Sequence, residues 1–301
     1  MNAPAAFHGI YPMLYALFAS DGALDRDAMR RQVAFCLEAG AHGLAALGLA
    51  TEVQKLSPDE RRRILDWVVE DLDGRLPLAI TIFGNSVEDQ ADFARAAEAA
   101  GADWLILQPP RIPDMPEDEL IAFFGAVMAQ VSIPTAIQNA PEYIGIGLSA
   151  EGIERLRQAQ SNFTLLKGEG PAILIRQVIE TTGGRLAVFN GRNGLELPDN
   201  LRAGCAGMIP SPEACAVQVR IFELMRAGDP ASVAEAERLY REILPLLTFV
   251  MQSIDSLICY GKRICAWRLG LDVAHDRAPA MAPTPFGLDC ARRLAALLDA
   301  V

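Results

Sequence analysis

Short apolar runs alternate with longer amphipathic segments along this chain of 301 residues. The runs are four to ten residues long and lack strict polar alternation, which is typical of strands that are covered on both faces. We therefore predict eight buried strands. They are residues 9–18, 43–49, 78–83, 104–108, 135–139, 163–167, 186–190 and 207–210.

The segments between these runs carry the start and stop signals of helices. EAGAHGLAAL (38–47), EAAGADWLIL (98–107) and LRAGCAGMIP (201–210) each show a helix-like end, a glycine suited to the position after a helix, and an apolar run. Ser57, Ser86 and Ser211 precede first turns that contain acidic residues, so we predict that they cap helices. The recurrence indicates a repeating βα unit.

Eight alternations of strand and helix favour an α/β fold, the (β/α)8 TIM barrel, over an open doubly wound sheet of five or six strands. We place the barrel at residues 1–228. The remaining residues, 229–301, contain helical patterns at 231–247, 248–269 and 284–300. No low-complexity linker separates the two parts, so we expect a C-terminal three-helix extension packed on the barrel as one structural unit.

Composition excludes several classes of function. A net charge of -11 and an isoelectric point near 4.8 argue against nucleic-acid binding. The N-terminus lacks a signal-peptide pattern and no apolar run is long enough to span a membrane, so we expect a cytoplasmic protein without membrane contact. Six cysteines and three histidines are scattered, which predicts no metal, no disulfide framework and no bound cofactor.

The stretch FTLLKGEGP (163–171) places a lysine at the end of a predicted buried strand. Lys167 is one of only three lysines, with Lys55 and Lys262, in a chain whose other cations are arginines. Functional residues of such barrels lie at the carboxyl ends of strands, and burial favours the neutral amine that condenses with a carbonyl. We predict that Lys167 forms a Schiff base; the alternative is a structural lysine whose ammonium reaches solvent.

Four segments at matching spacing carry a family resemblance: GIYPMLYALFASDGALD (9–25), GLATEVQKLSPDER (48–61), LLKGEG (165–170) and AGMIPSP (206–212). Together they resemble the dihydrodipicolinate synthase and N-acetylneuraminate lyase family along the whole chain. The resemblance implies a metal-independent class I lyase that acts on a 2-oxo acid such as pyruvate. It also implies a homotetramer built as a dimer of dimers.

Three departures from the family pattern argue against dihydrodipicolinate synthesis itself. The fifth-strand tyrosine that ordinarily shuttles protons is replaced by Gln138. The paired threonines of the synthases fall at Leu49 and Ala50, which leaves Thr51 and local backbone amides to hold a carboxylate. The arginine that grips the second substrate is replaced at about Tyr143.

Gln138, together with a glutamate two residues beyond the lysine, resembles the 2-keto-3-deoxy-sugar-acid dehydratases, notably the 2-keto-3-deoxyarabonate dehydratases. Residues two apart on an extended segment face the same side, so Glu169 is the candidate replacement for the missing tyrosine. The alternative is that Glu169 stabilises the start of the helix that follows Pro171.

We expect the candidate residues to act in three roles. The catalytic candidates are Lys167, Glu169 and Asn139. The substrate-binding candidates are Ala50, Thr51, Gln138, Tyr143, Arg111, Asn190, Arg192 and Ile209. Arg111 and Arg192 are potential carboxylate clamps or, alternatively, surface ion pairs. Glu52 is a candidate base, but the family resemblance implies instead that it holds loops together through backbone hydrogen bonds.

The leading functional prediction is a 2-keto-3-deoxy-sugar-acid dehydratase. One enamine serves both loss of the C4 hydroxyl and cleavage of the C3–C4 bond, so a pyruvate-dependent aldolase remains the alternative. That aldolase would be of the sugar-acid, N-acetylneuraminate lyase or dihydrodipicolinate synthase type. An alternative of another class is a non-catalytic paralogue that binds a sugar acid.

Overall fold

The computed structural model describes residues 7–299, and eight parallel strands form the centre of this part of the chain. The strands are β1 (Gly9–Ile10), β2 (Leu44–Ala46), β3 (Leu78–Ile82), β4 (Trp104–Leu107), β5 (Thr135–Asn139), β6 (Leu165–Gly168), β7 (Ala187–Asn190) and β8 (Gly207–Met208). Their order is β1-β8-β7-β6-β5-β4-β3-β2. This confirms the predicted TIM barrel.

The barrel closes between the segment after β1 and strand β2. Met13 forms a parallel bridge with Ala45, the Leu14 N–H donates to the Ala45 carbonyl at 2.8 Å, and the Ala45 N–H donates to the Pro12 carbonyl at 3.0 Å. The predicted strand 9–18 was too long, since its regular ladder covers two residues. Pro12 has no N–H to donate, so the ladder is interrupted there although the chain still contacts both neighbours.

The other seven predicted strands overlap observed strands and differ from them only at their ends. The prediction 163–167, for example, corresponds to Leu165–Gly168. Where a ladder stops depends on the register of the neighbouring strand, which a single apolar run does not encode.

Nine helices of the described residues accompany the barrel strands. They are α1 (Arg26–Glu38), α2 (Pro58–Leu72), α3 (Val87–Ala100), α4 (Glu117–Met128), α5 (Pro141–Ile144), α6 (Ala150–Ala159), α7 (Ala172–Thr181), α8 (Leu197–Ala203) and α9 (Cys215–Ala227). Gly101 and Gly204 follow α3 and α8 at φ of 103° and 102°, a left-handed conformation that favours glycine.

Two of the three predicted serine caps are confirmed. Ser57 forms a capping box with Glu60, and the Ser86 side chain accepts from the Asp89 N–H. Ser211 makes no cap hydrogen bond. Its hydroxyl lies 2.6 Å from Asn193 Oδ1 and 2.7 Å from a carboxylate oxygen of the buried Glu213. The predicted capping residue therefore belongs to a hydrogen-bond network with these two side chains instead.

Three aromatic rings pack across the interior of the barrel. The Tyr11, Trp104 and Phe189 centroids lie 5.2 to 5.8 Å apart in pairs. Tyr11 follows β1, and the other two rings come from β4 and β7, which are not neighbours in the sheet. They can meet only through the interior, so this part of the barrel is a packed core rather than a pore.

The C-terminal residues form four further helices, α10 (Pro230–Val250), α11 (Ile254–Ser256), α12 (Lys262–Arg268) and α13 (Pro285–Ala295). A π-helical segment, Leu257–Gly261, joins α11 to α12. Within residues 7–299, no single helix has both the length and the apolar character to cross a membrane. Pro230–Val250 and Ile254–Arg268 meet the two criteria only when they are taken together as a pair, and a 105° bend separates them.

Candidate active site

Lys167 and Glu169 contact each other at the carboxyl end of β6. Both side chains are about 5% exposed, and Lys167 Nζ lies 2.9 Å from Glu169 Oε1. The Glu169 N–H donates to the carbonyl of Asn139, the last residue of β5, at 2.9 Å. This bond extends the β5–β6 ladder and holds the carboxylate beside the amine. An amine and a carboxylate at this distance can exchange a proton directly.

Gln138 lies opposite Lys167 in the β5–β6 register and also contacts Glu169. Its Nε2 donates to Glu169 Oε1 at 2.6 Å. Its Oε1 accepts from Gln108 Nε2 at 2.7 Å. Glu169 Oε1 therefore faces two donors, the amide of Gln138 and the ammonium of Lys167. The sequence analysis missed Gln108, although its position directly after β4 was an available signal.

The amine and the carboxylate face a cavity of about 30 Å³, which is enough for one or two water molecules. The loops after β1, β2, β7 and β8 contribute to it. The C-terminal extension supplies three apolar side chains that the sequence analysis did not anticipate, Met251, Ile254 and Leu257. The site therefore combines polar groups from the barrel with an apolar cover from the extension.

Gly191, directly after β7, leaves the space that Glu169 occupies. A Cβ at this glycine would lie 2.7 Å from the carboxyl carbon of Glu169 and 3.0 Å from its Oε2. The φ of Gly191 is -89°, so the requirement for glycine comes from this close approach and not from a left-handed backbone.

Arg192 and Tyr143 lie close enough for the guanidinium and the phenol to interact electrostatically. Arg192 Nη1 also donates to Glu196 Oε2 at 2.6 Å. Burial raises the pKa of Tyr143, and the neighbouring guanidinium works against that rise. Arg192 lines the cavity of Lys167, whereas Tyr143 lines an open cavity of about 830 Å³. The pair therefore lies between the two spaces.

Arg111 lines only the open cavity in the part of the molecule described. Its exposed guanidinium hydrogen-bonds Gln54 Oε1, and its N–H donates to Asn85 Oδ1 at 2.9 Å. The structure therefore places this predicted clamp beside Tyr143 and away from the amine of Lys167.

The side-chain amides of Asn139 and Asn190 form hydrogen bonds with the main chain of neighbouring segments. Asn139 exchanges two hydrogen bonds with the main chain of Leu148, at 2.7 and 3.0 Å. Asn190 Nδ2 donates to the Gly170 carbonyl at 2.8 Å and to Asn200 Oδ1 at 2.7 Å. These contacts favour structural functions over the catalytic and substrate-binding roles that we predicted for the two residues.

Thr51 is fully buried, and its hydroxyl is already engaged. The hydroxyl donates to the Leu14 carbonyl at 2.5 Å and accepts from the Gly48 N–H at 3.2 Å. Only the main chain of Thr51 is therefore left for a substrate carboxylate. Ala50 and Ile209, two further binding candidates, line the cavity of Lys167.

Glu52 belongs to a separate ionic group, which we call the Glu52 cluster and define as Glu52, Lys55 and Lys262. Lys55 Nζ lies 2.5 Å from Glu52 Oε2, and Lys262 Nζ donates to Oε1. The structural role expected for Glu52 stays a prediction: its N–H donates to the Leu49 carbonyl at 2.9 Å, and its carboxylate in addition binds two ammonium groups. Lys262 lies 210 residues away, so no local pattern could have revealed this partner.

The sequence profile of the Dihydrodipicolinate synthetase family matches residues 6–287 of the chain. The chain belongs to this family. Enzymes of the family are metal-independent and of the aldolase or lyase type, with Schiff-base chemistry. Within residues 7–299, no three His, Cys, Asp or Glu side chains are grouped as a metal site requires.

Curated relatives in this family include the 4-hydroxy-tetrahydrodipicolinate synthase of Methanopyrus kandleri, 29% identical over 245 residues that cover 79% of each chain. The enzyme of the same name from Nitratidesulfovibrio vulgaris is 28% identical and covers 80% of this chain and 82% of its own. These names support family membership and an aldolase-type reaction better than they support the dehydratase branch.

Among solved structures, YagE of E. coli K12, described as a prophage protein of the dihydrodipicolinic acid synthase family in complex with pyruvate, superposes with a TM-score of 0.88. It is 25% identical and covers 98% of this chain and 99% of its own. The likeness extends over the barrel and the C-terminal helices.

Proposed function

We propose that this protein is a Schiff-base enzyme that acts on a 2-oxo acid, with Lys167 as the nucleophile. The observation that carries the proposal is the 2.9 Å contact between Lys167 and Glu169 at a cavity on the carboxyl end of the barrel. The synthases among the relatives and the pyruvate complex of YagE support a 2-oxo acid as the substrate class.

Glu169 is the proton carrier of the proposed mechanism. It takes a proton from the Lys167 ammonium, and the free amine attacks C2 of the 2-oxo acid to give a carbinolamine. The C2 hydroxyl then leaves as water with a proton returned by Glu169, and an iminium remains. The carboxylate next removes a proton from C3, whose electron pair is delocalised into the iminium as an enamine.

The substrate carboxylate is proposed to bind where the loop after β2 meets the cavity. Ala50 lines that cavity, and Thr51 offers its main chain because its hydroxyl is engaged with Leu14. Arg192 also lines this cavity and is the candidate clamp for the remaining polar groups of the substrate. Arg111 is too peripheral for this role.

A pyruvate-dependent aldolase reaction has the stronger support from the comparisons. In the cleavage direction, the Glu169 carboxylate takes the proton of the C4 hydroxyl, the C3–C4 bond breaks, and its electron pair enters the enamine. Protonation at C3 and hydrolysis of the iminium then release pyruvate and an aldehyde. The names of the synthases among the relatives favour this carbon–carbon chemistry.

Dehydration of a 2-keto-3-deoxy sugar acid is the second candidate, and one observation favours it. Gln138 stands where the family pattern has the fifth-strand tyrosine and contacts Glu169 at 2.6 Å, which makes Glu169 the candidate proton carrier for both C3 and the C4 hydroxyl. Glu169 would remove the C3 proton and protonate the departing C4 hydroxyl, which leaves as water.

Borohydride trapping with a panel of 2-oxo acids tests the proposal. Pyruvate and reductant should add mass to the Lys167 peptide and leave the Lys55 and Lys262 peptides unchanged. The panel should include 2-keto-3-deoxy-pentonates, 2-keto-3-deoxy-hexonates and N-acetylneuraminate. Faster release of pyruvate identifies the aldolase, and faster loss of water identifies the dehydratase. An adduct on another lysine, or none with any acid, contradicts the mechanism.

Turnover measurements separate an enzyme from a non-catalytic sugar-acid-binding paralogue. The paralogue would bind acids of the panel without trapping or product. Chelators should leave the activity of the enzyme unchanged, because the mechanism uses no metal. The homotetramer implied by the family resemblance is also a proposal, and sedimentation equilibrium measures it directly.

A further inference from the structure

Hydrogen bonds connect three buried glutamines in a series that leads from α3 to Glu169, the proposed proton carrier. Gln90 donates from Nε2 to the Gln108 carbonyl at 2.8 Å and to the Gly84 carbonyl at 2.9 Å. Gln108 donates from its side chain to Gln138 Oε1 at 2.7 Å, and Gln138 donates onward to Glu169 Oε1 at 2.6 Å. All three glutamines are at most 3% exposed.

The direction of these bonds has a chemical consequence at Glu169. A glutamine amide has one accepting end and one donating end. Because Gln108 donates to the oxygen of Gln138, the NH₂ group of Gln138 is turned toward Glu169. A carboxylate accepts such a bond, whereas the opposite orientation would place two oxygens against each other. The donor on Gln108 and the carboxylate of Glu169 therefore favour the same orientation of the Gln138 amide.

We propose that Gln108 is a positioning residue that acts through Gln138 on Glu169. This inference rests on the proposed function, because it assigns Gln108 to the step in which Glu169 accepts the C3 proton. Gln108 lies outside the group of residues that lines the cavity of Lys167. Its influence on the reaction passes through the orientation of one amide.

This orientation of the Gln138 amide suits Glu169 as a proton carrier, because its carboxyl group alternates between an ionised and a protonated state. While Glu169 is ionised, Gln138 and Lys167 both donate to its Oε1. After Lys167 becomes an iminium, its nitrogen has fewer protons to offer, and Gln138 remains as the fixed donor. Without Gln108, only Glu169 orients the amide of Gln138, and the fraction of molecules with the productive orientation falls.

Gln108→Met tests this role, since methionine keeps the length of the side chain and removes the donor. The readout is deuterium exchange at C3 of pyruvate, which reports the step assigned to Glu169 without a second substrate. We expect kcat for exchange to fall about tenfold, the kinetic equivalent of one lost hydrogen bond, with little change in KM. Trapping of the Lys167 adduct should persist.

A double-mutant cycle separates positioning from general damage. In a Glu169→Gln background, Gln108→Met should cost less than about twofold, because the carboxylate through which it acts is gone. Gln32→Met is the matched control: it removes an equally buried glutamine that exchanges two hydrogen bonds with the main chain of Tyr15 in another part of the barrel. It should leave the exchange rate per folded molecule unchanged.

Equal losses from Gln108→Met in both backgrounds, or an unchanged exchange rate in wild-type background, would overturn the inference. If Gln108→Met does not fold, Gln138→Met replaces it in the same cycle, and additive losses there would overturn the inference equally. Failure of the proposed function is recognised separately, because the wild-type protein would then give neither a Lys167 adduct nor exchange, and the positioning role would fall with it.

Discussion

The protein contains two groups in which lysines contact a glutamate. The two groups differ in the number of ammonium groups that each carboxylate binds. In the Glu52 cluster, one carboxylate binds the ammonium groups of both Lys55 and Lys262. At Lys167, one carboxylate faces one ammonium and one neutral amide, and both charged groups line a cavity. All three lysines of the chain therefore contact a glutamate, two of them in the Glu52 cluster and one at the cavity.

The comparison indicates what a reactive lysine needs beyond burial. Lys262 is fully buried, and that burial lowers its pKa against the opposing effect of Glu52. Burial by itself therefore does not single out a nucleophile, because Lys262 and Lys167 are both buried. Lys262 contacts a carboxylate shared with a second cation, and it is absent from the lining of the Lys167 cavity. A cavity at its amine, together with a carboxylate that it shares with no other lysine, distinguishes Lys167.

The largest expected difference between the groups is in covalent chemistry. Lys167→Met should abolish the borohydride-trapped adduct and turnover, because the nucleophile is lost. Lys262→Met should retain the adduct on the Lys167 peptide. Peptide mass spectrometry after reduction with pyruvate measures both. An adduct that disappears in Lys262→Met while the protein stays folded would reverse the assignment of the two lysines.

Removing the charge of Glu169 should separate adduct formation from turnover. Glu169→Gln should keep the iminium yet slow turnover by roughly 10²- to 10⁴-fold, the usual contribution of a positioned acid or base. Steady-state rates and trapping yields provide the two measurements. If Glu169 only stabilises the start of α7, the rate should stay near wild type and stability should fall by no more than about 1 kcal/mol.

The Glu52 cluster should contribute to stability rather than to rate. Lys262→Met should lower the free energy of unfolding by about 3 kcal/mol, because a buried carboxylate loses its fully buried partner. Lys55→Met is the matched comparison; its ammonium is partly exposed, so a loss of about 1 kcal/mol or less is expected. Urea unfolding measures both, and equal losses would contradict the difference in burial.

Glu213 extends the comparison to a buried carboxyl group that, among the described residues, has no cationic partner. It accepts from Tyr15, Ser211 and Asn193, and burial raises its pKa above the usual 4.5. The unfolded chain therefore loses this proton first as the pH rises. The associated stability is fully present below pH 4.5 and is lost as the pH passes the raised pKa.

Glu213→Gln should remove that part of the pH dependence. Between pH 4.5 and 7, the wild-type protein should lose stability relative to the variant, by about 1.4 kcal/mol for each unit by which the pKa is raised. Urea unfolding of both proteins at the two pH values measures the difference. Parallel pH profiles would mean that the hydrogen bonds to Glu213 fully offset its burial.

Local sequence patterns predicted the barrel, two serine caps and the contact between Lys167 and Glu169. Each depends on residues close in sequence: Ser57 with Glu60, Ser86 with Asp89, and a lysine and glutamate two positions apart. Local patterns predict such contacts because the geometry of a helix or strand fixes which neighbouring residues lie on the same face. The roles of the residues in catalysis stay predictions.

The partners of Glu52, Ser211 and Gln138 were decided only by the tertiary structure. Lys262 reaches Glu52 across 210 positions, and Gln108 reaches Gln138 across 30. Strand register and the docking of the C-terminal helices bring these groups together, and a buried polar group takes whichever partner the packing offers. The sequence by itself therefore determined that Lys167 lies at the end of a buried strand beside Glu169, and the packed barrel determined which other side chains contact that carboxylate.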